Sequence, residues 1–450
     1  MRIHFIAIGG SAMHNLAIAL HKKGYQITGS DDVIFEPAKS RLDKYGLLPA
    51  EMGWDENRIS SNLDAVILGM HARIDNPELL KAQELGITIY SYPEYIYEQS
   101  KNKLRVVIGG SHGKTTITSM ILHVLNYYNR NFDYLVGAQL AGFETMVKVT
   151  ENAPVMIIEG DEYLSSPIDR RPKFHLYKAN VAVISGIAWD HINVFPTYAD
   201  YTSQFEKFID TIEEAGTLIY CEADADLNEI VSRSEANINK IGYGIPAHEI
   251  ENGITYLLPE KTTLKIFGDH NLMNLNAAKL VCEQLNISKA DFDTAIASFT
   301  GAAKRLEVIS ANDSTNVYKD FAHSPSKLKA TIDAVKAQFA DRKLVACIEL
   351  HTFSSLNKDF LKEYAGAMDK ADHAIVFIDL KSFEQKRMKP FSEEDVQEAF
   401  SNPKLKFFND AVQLKAYLLG LSYQHTNLLM MSSGNYAGFD LPELAASLKN

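Results

Sequence analysis

The sequence predicts an α/β protein of three consecutive domains, each built on a mostly parallel sheet. Three observations predict it. Short apolar runs alternate with helical patterns along the whole chain, which is the signature of doubly wound sheets. Glycine-rich or polar turns follow those runs at their C-terminal ends, where open parallel sheets hold their ligands. A length of 450 residues suggests about three domains. The divisions fall near residues 103 and 301, giving domains of 1–103, 104–301 and 302–450.

In the first domain Ile3–Ile8 reads as a strand, Gly9-Gly10-Ser11-Ala12 as a turn and Met13–Lys23 as a helix. Tyr25–Thr28 is a second strand, followed by Gly29-Ser30-Asp31-Asp32. Asp64–Leu68 and Ile87–Tyr90 are further strands, with a helix at Asn76–Leu85 between them. The order is Rossmann-like. Ala7-x-Gly9-x-x-Ala12 with Asp31 after the second strand imitates a dinucleotide fingerprint, but alanine stands at its first and third glycine positions. An NAD site, a nucleotide-diphosphate site and simple packing all remain open on that pattern.

The second domain opens on the most informative stretch. Val106-Val107-Ile108 is a buried strand, Gly109–Gly113 a turn that favours small residues, and Lys114-Thr115-Thr116 the start of an amphipathic helix. Backbone N–H groups of such a loop and the positive helix N-terminus cradle phosphates; the lysine reaches the terminal ones, and a threonine hydroxyl can sit on Mg²⁺. Gly110, Ser111, His112, Gly113, Lys114, Thr115 and Thr116 are therefore the candidate triphosphate site. The loop is shorter than the usual form, and the competing reading is a plain glycine turn. Val155–Ile158 and Val181–Ser185 are central strands that end in Glu159-Gly160-Asp161-Glu162 and in Trp189-Asp190-His191. Glu159 and His191 are expected on the same sheet edge as Lys114, where with Thr115 they make a plausible set of metal ligands. A loop acid and a capping or core histidine are the bland alternatives. Thr262–Phe267 is a strand, and the following helix carries Asn271 and Asn274 on one face. The two amides suit an adenine edge; an N-cap role for Asn271 is the alternative.

In the third domain Thr315–Tyr318, Leu344–Leu350, Ala374–Ile378 and Asn427–Met431 are strands, and Ser326–Gln338 is a helix. Arg305, Asp320, His323 and His351 fall at or near strand ends.

Composition narrows the class. Apolar residues make up 46 % and charged residues 23 %, and the net charge of −12 argues against a nucleic-acid or anionic-membrane surface. The three cysteines are widely spaced and imply neither a disulfide framework nor a zinc site. The N-terminus runs straight into a strand, and no apolar run is long enough to span a bilayer, which predicts a cytoplasmic protein.

These landmarks, taken in order, resemble the ATP-dependent Mur ligases, three-domain enzymes that form peptide bonds in bacterial cell-wall synthesis. The resemblance rests on Ile8–Met13 with Gly29-Ser30-Asp31, Gly110–Thr116, Glu159–Glu162 and Asp190-His191. It continues in His270-Asn271-x-x-Asn274, Arg305 and Asp320–Pro325, and spans essentially the whole chain. It implies ATP and Mg²⁺ and a first domain that holds the UDP end of a sugar nucleotide through Gly9, Gly10, Ser11, Ser30, Asp31, His71 and Arg73. It further implies adenine read by Asn271 and Asn274, ribose by Asp320, phosphates by Arg305, and an incoming amine oriented by His323 and His351. Lys114, Glu159, His191 and His323 are the implied catalytic residues, with Thr115, Glu159 and His191 as metal ligands. The third domain would close over ATP, and the chain would be a monomer or weak homodimer. Within the family the likeness is to the branch acting on UDP-N-acetylmuramic acid. The runs Glu159–Tyr163, Trp189–Phe195 and Met431–Gly434 favour the tripeptide-attaching murein peptide ligases, with the L-alanine-adding enzymes as the alternative. Departures are Phe321 and Ser324 where tyrosine and histidine are usual, and Thr352 after His351 where the L-alanine enzymes have arginine. No lysine occurs at Tyr201–Phe205, where several Mur ligases carry a carbamoylated one. A phosphate-loop kinase, a GTPase, an NAD oxidoreductase and a non-catalytic nucleotide-sugar-binding protein are the rival classes. No Asn-Lys-x-Asp run supports the GTPase.

Overall fold

In the computed structural model of the chain, residues 1–140, 142–189, 194–302 and 305–448 are described. Three α/β sheets follow one another along the sequence, and one small antiparallel sheet lies between the second and third.

The first sheet is four-stranded and parallel. Arg2–Ile6 pairs with Gln26–Ser30 on one side and Ala65–Leu68 on the other, and Ile89–Ser91 pairs beyond. Its inner strands are buried on both faces, as crossover helices require, so they read as unbroken apolar runs. The second sheet has seven strands. Leu104–Gly109 lies at its centre between Val155–Glu159 and Val181–Ile184, all parallel. Outer strands at Thr217–Cys221 and Asn239–Tyr243 extend one side; Asp133–Leu135 and Val147–Lys148 extend the other.

The last sheet has six strands. Thr426–Met431 is flanked by Asn316–Asp320 and Lys343–Glu349, and His373–Phe377 and Lys406–Phe408 follow in parallel. Only Glu307–Ala311, at its edge, runs antiparallel. Each face of this sheet carries its own apolar core. Leu344, Ala346 and Ile348 go to one; Val345 and Cys347 go to the other. The small sheet joins His248–Glu251, Ile254–Leu257 and Thr262–Leu264.

By packing the chain forms two compact units. One comprises Met1–Gly244 with Asn274–Ala295, and the other Ile245–Met273 with Ile296–Asn450. The small antiparallel sheet thus packs within the second unit, although sequence reasoning groups it with the phosphate loop. Among the described residues no helix is long and apolar enough to cross a membrane. The three cysteines are buried.

Candidate active site

The first unit carries the candidate phosphate loop. The chain leaves the strand Leu104–Gly109 through two left-handed glycines, Gly110 (φ 119°) and Gly113 (φ 74°), and enters the helix Lys114–Tyr127. Glycine is needed at 113 for two reasons: its φ disfavours a side chain, and a Cβ there would run into Oδ1 of Asn274. Ser185 closes the turn from behind, its hydroxyl donating to the carbonyl of His112 and to that of Gly109 at 3.2 Å.

Lys114 folds back over this loop. Its Nζ donates to the Gly110 carbonyl at 2.6 Å and pairs with Oε2 of Glu162 at 2.8 Å. Burial works against the charge of Lys114, but the Glu162 carboxylate outweighs it and holds the ammonium above its ordinary pKa. Thr115 and Glu159 meet as the sheet-edge argument predicts. The Thr115 hydroxyl donates to Oε1 of Glu159 at 2.7 Å, and the Gly137 N–H donates to Oε2 at 2.8 Å. Burial nevertheless pushes the Glu159 carboxyl above its usual range, so these two donors compensate its charge incompletely. Thr116 is buried in the first helical turn. Asp190 and His191 lie outside the described residues, so the expected histidine ligand has no described geometry.

Two residues that sequence reasoning gave no role complete the cluster. Glu162 is 1 % exposed and holds Lys114. Tyr201, fully buried in the helix Tyr198–Asp210, lies 2.7 Å from Oγ of Ser111, and its hydroxyl donates to Oε1 of Glu162 at 3.4 Å. Ser111 Oγ in turn accepts the Ala188 N–H at 2.8 Å. Position in the acidic run Glu159–Glu162 was the only sequence signal for Glu162; Tyr201 had none.

The residues expected at the UDP end lie at or beyond the C-terminal ends of three strands of the first sheet. The Gly9 N–H donates to Oδ2 of Asp31 at 2.7 Å, so two of the residues expected at the UDP end are bonded to each other. Burial pushes the Asp31 carboxyl up, with the Gly9 contact opposing. Ser30 is fully buried and donates to Glu78, inside a cluster that also holds His4. Its hydroxyl therefore ties strand to helix rather than facing a ligand. His14 Nδ1 donates to the Gly10 carbonyl at 2.9 Å, and Ser11 is exposed beside it. His71 and Arg73 are exposed beyond the strand Ala65–Leu68, Arg73 pairing with Asp75 at 3.3 Å.

In the second unit Asn271 is buried and its Nδ2 donates to the Phe267 carbonyl at 2.9 Å, which binds the helix start to the preceding turn. Asn274, in the first unit, stands against the phosphate loop at Gly113. Asp320 is buried at the end of its strand; its oxygens accept the N–H of Ala322 at 2.7 Å and of Leu306 at 2.8 Å. That fixes the turn carrying Arg305, whose guanidinium lies over the Phe321 ring at 5.1 Å. His323 packs edge-on to the same ring and donates from Nδ1 to the Phe321 carbonyl at 2.8 Å. His351 Nε2 is 3.3 Å from the Ser433 hydroxyl, and its Nδ1 is buried with no hydrogen-bond partner among the described residues. Burial keeps His351 below its usual pKa, hence neutral at pH 7.

Comparison with known proteins matches this geometry to one family. The model "Mur ligase family, catalytic domain" matches residues 2–103, "Mur ligase middle domain" 108–282 and "Mur ligase, glutamate ligase domain" 304–434. A UDP-N-acetylmuramate–L-alanine ligase of Clostridium kluyveri is 31 % identical over 391 residues, covering 83 % of this chain and 82 % of its own. The protein of that name from Lactiplantibacillus plantarum is 27 % identical, with 83 % of each chain covered. Among solved structures, the UDP-N-acetylmuramate–alanine ligase of Thermotoga maritima superposes with a TM-score of 0.67 at 21 % identity, covering 97 % of this chain and 96 % of its own. A murein peptide ligase of Psychrobacter arcticus gives 0.62 at 22 % identity, covering 100 % and 99 %. At such identities both likenesses show the fold alone. The relatives near 30 % identity carry the L-alanine name, and this overturns the tripeptide preference drawn from Glu159–Tyr163, 189–195 and Met431–Gly434. Of those runs, Glu159–Tyr163 lies beside the candidate phosphate site and Met431–Gly434 at a strand end, where enzymes sharing a first chemical step have little reason to differ.

Proposed function

The chain belongs to the Mur ligase family, whose members are ATP-dependent ligases that form amide bonds, and on that premise we propose that it joins UDP-N-acetylmuramate to L-alanine. The observation that carries the reading is the phosphate loop with Lys114 at its mouth and the Thr115–Glu159 pair beside it. The L-alanine name of the relatives supplies the amine.

A carboxylate does not condense with an amine at neutral pH, because oxide is too poor a leaving group. In the proposed reaction a lactyl carboxylate oxygen attacks the γ-phosphorus of ATP, the bond to the β-phosphate oxygen breaks, and an acyl phosphate and ADP result. The neutral α-amine of L-alanine then adds to the acyl carbon, loses a proton, and the tetrahedral intermediate expels phosphate. Both attackers must be aligned and the phosphate charge neutralised, which is where such enzymes obtain most of their acceleration. Lys114 supplies positive charge at the β- and γ-phosphates once it turns from Gly110 and Glu162. Loop N–H groups between Gly110 and Thr116 supply fixed donors.

The residues present fit a divalent cation. Glu159 is a buried carboxylate left short of compensation, and a threonine oxygen lies beside it. Thr115 and Glu159 would hold Mg²⁺, with His191 the further candidate; the ion would mask phosphate charge. Among the described residues no group of three or more His, Cys, Asp or Glu could hold a metal ion unaided, so phosphate oxygens and water would complete its shell.

The remaining roles are assigned on the family pattern. Residues 1–103 take the UDP end through the loop Gly9–Ser11, Asp31, His71 and Arg73. Residues 104–301 take ATP, with Asn274 against the loop and Asn271 towards adenine. Residues 302–450 contribute Arg305 and Asp320 to the nucleotide, and His323 and His351 to the amine. Phosphate release from ATP with UDP-N-acetylmuramate, tested separately with L-alanine, the dipeptide and the tripeptide, decides the matter. Release is expected only when sugar nucleotide and L-alanine are both present. Release without any amine would make the protein a kinase, and a tenfold preference for the tripeptide would reject the L-alanine assignment.

A further inference from the structure

Glu162 occupies the lysine that the nucleotide needs. Its Oε2 lies 2.8 Å from Lys114 Nζ, and its Oε1 takes the Tyr201 hydroxyl. With its own proton given to Glu162, the Tyr201 hydroxyl is left to accept from Ser111, and Ser111 accepts the Ala188 N–H. Donors in this chain all point one way, from the Ala188 amide towards the Glu162 carboxylate, so the carboxylate is stabilised as an anion and aimed at Lys114. Asp161, next to it, is turned to Lys173 at 2.7 Å and acts on Lys114 only through space. A lysine side chain only 16 % exposed needs a counter-charge, and Glu162 is that counter-charge.

A phosphate group arriving at Lys114 competes with this carboxylate for the same ammonium and meets a fixed negative charge just behind it. We propose that Glu162 is a positioning residue that weakens nucleotide binding on purpose: it holds Lys114 ready while the site is empty and reclaims it as ADP departs. The inference rests on the reading of Gly110–Thr116 as the phosphate site. It implies an unusual sign, because neutralising a buried, well-bonded residue should tighten ligand binding rather than damage it.

The experiment is titration calorimetry of ADP, with and without Mg²⁺, on the full chain and on Glu162→Gln, together with steady-state kinetics. The amide keeps the shape and an acceptor for Tyr201 but removes the charge. The Kd for ADP should fall about tenfold in both conditions, KM for ATP should fall with it, and kcat should drop as release slows. Asp161→Asn, which removes a charge one residue away, should leave the Kd within twofold of the unmodified protein. Should the Gln protein not fold, Glu162→Asp replaces it; the shorter carboxylate draws back from Lys114 and should lower the Kd by a smaller factor. An unchanged or raised Kd in the Glu162 variant overturns the proposal, as does equal tightening by Asp161→Asn. Absence of ADP binding to the unmodified protein would overturn the phosphate-site reading itself, and the two failures are told apart by that control.

Discussion

At Glu159 the chain keeps a carboxylate where the folded, empty protein would be better off without one. Burial raises its pKa, so the folded state holds a proton there more readily than the unfolded state does. The sign follows directly. This group's contribution worsens as pH rises from the ordinary carboxylate pKa, about 4.3, to the raised one, and it stays unfavourable at neutral pH. Glu159→Gln retains an acceptor for the Gly137 N–H and offers an amide donor to the Thr115 hydroxyl oxygen, reversing that bond. It should therefore stabilise the empty protein by about 1 kcal/mol at pH 7. The advantage should vanish when the melt is repeated near pH 4. The same variant should lose at least roughly a hundredfold in kcat, since electrostatic stabilisation of a phosphoryl transfer commonly contributes that much. A melting curve that falls at pH 7, or retained turnover, would show that Glu159 is a structural acid.

Among the elements, the strand–loop–helix unit at 104–127 has the least tolerance for change. Gly113→Ala places a Cβ at a left-handed φ and against Asn274. The backbone strain alone costs about 1–3 kcal/mol, and relief by moving Asn274 would disturb its contact with the loop. We expect urea denaturation to show a loss of about 2 kcal/mol or more and nucleotide affinity to fall in parallel; a neutral substitution would mean the loop is not held in this shape. This unit was legible in sequence because its physics is local: an all-apolar strand, glycines where φ is positive, and a lysine opening a helix. Central strands such as Val155–Glu159 and Val181–Ile184 were legible for a related reason, being buried on both faces. Edge elements were not. Asn239–Tyr243 and Glu307–Ala311 are half exposed and mix polar with apolar residues, and the hairpin His248–Leu257 depends on pairing rather than pattern. The site divides the same way. Thr115 meeting Glu159 follows from two strand ends in one sheet, whereas Tyr201 reaching Ser111 across ninety residues follows from packing that no local pattern encodes. Ser30 was assigned to ligand because the demand of its neighbour Glu78 could not be seen in one dimension.

For the molecule as a whole, binding and stability are linked, and the distribution of tryptophan makes the link measurable. Both tryptophans, Trp54 and Trp189, belong to the unit Met1–Gly244 with Asn274–Ala295, which also contains the phosphate loop. Their fluorescence therefore reports unfolding of the unit that the nucleotide phosphates should stabilise. A ligand at a hundred times its Kd adds about 2.7 kcal/mol to a folded state that alone binds it. In a unit of this size each kcal/mol is worth roughly 2–4 °C. ATP with Mg²⁺ should thus raise the tryptophan-detected Tm by about 5–10 °C. Lys114→Ala removes the ammonium that faces the phosphates but leaves the residues assigned to UDP-N-acetylmuramate untouched. At the same ATP concentration its shift should be nearly abolished, while the shift produced by UDP-N-acetylmuramate alone persists, and amide formation should be lost. Equal ATP shifts in both proteins would place the triphosphate somewhere other than this loop. Loss of the sugar-nucleotide shift would mean that the first two sheets do not bind their ligands independently.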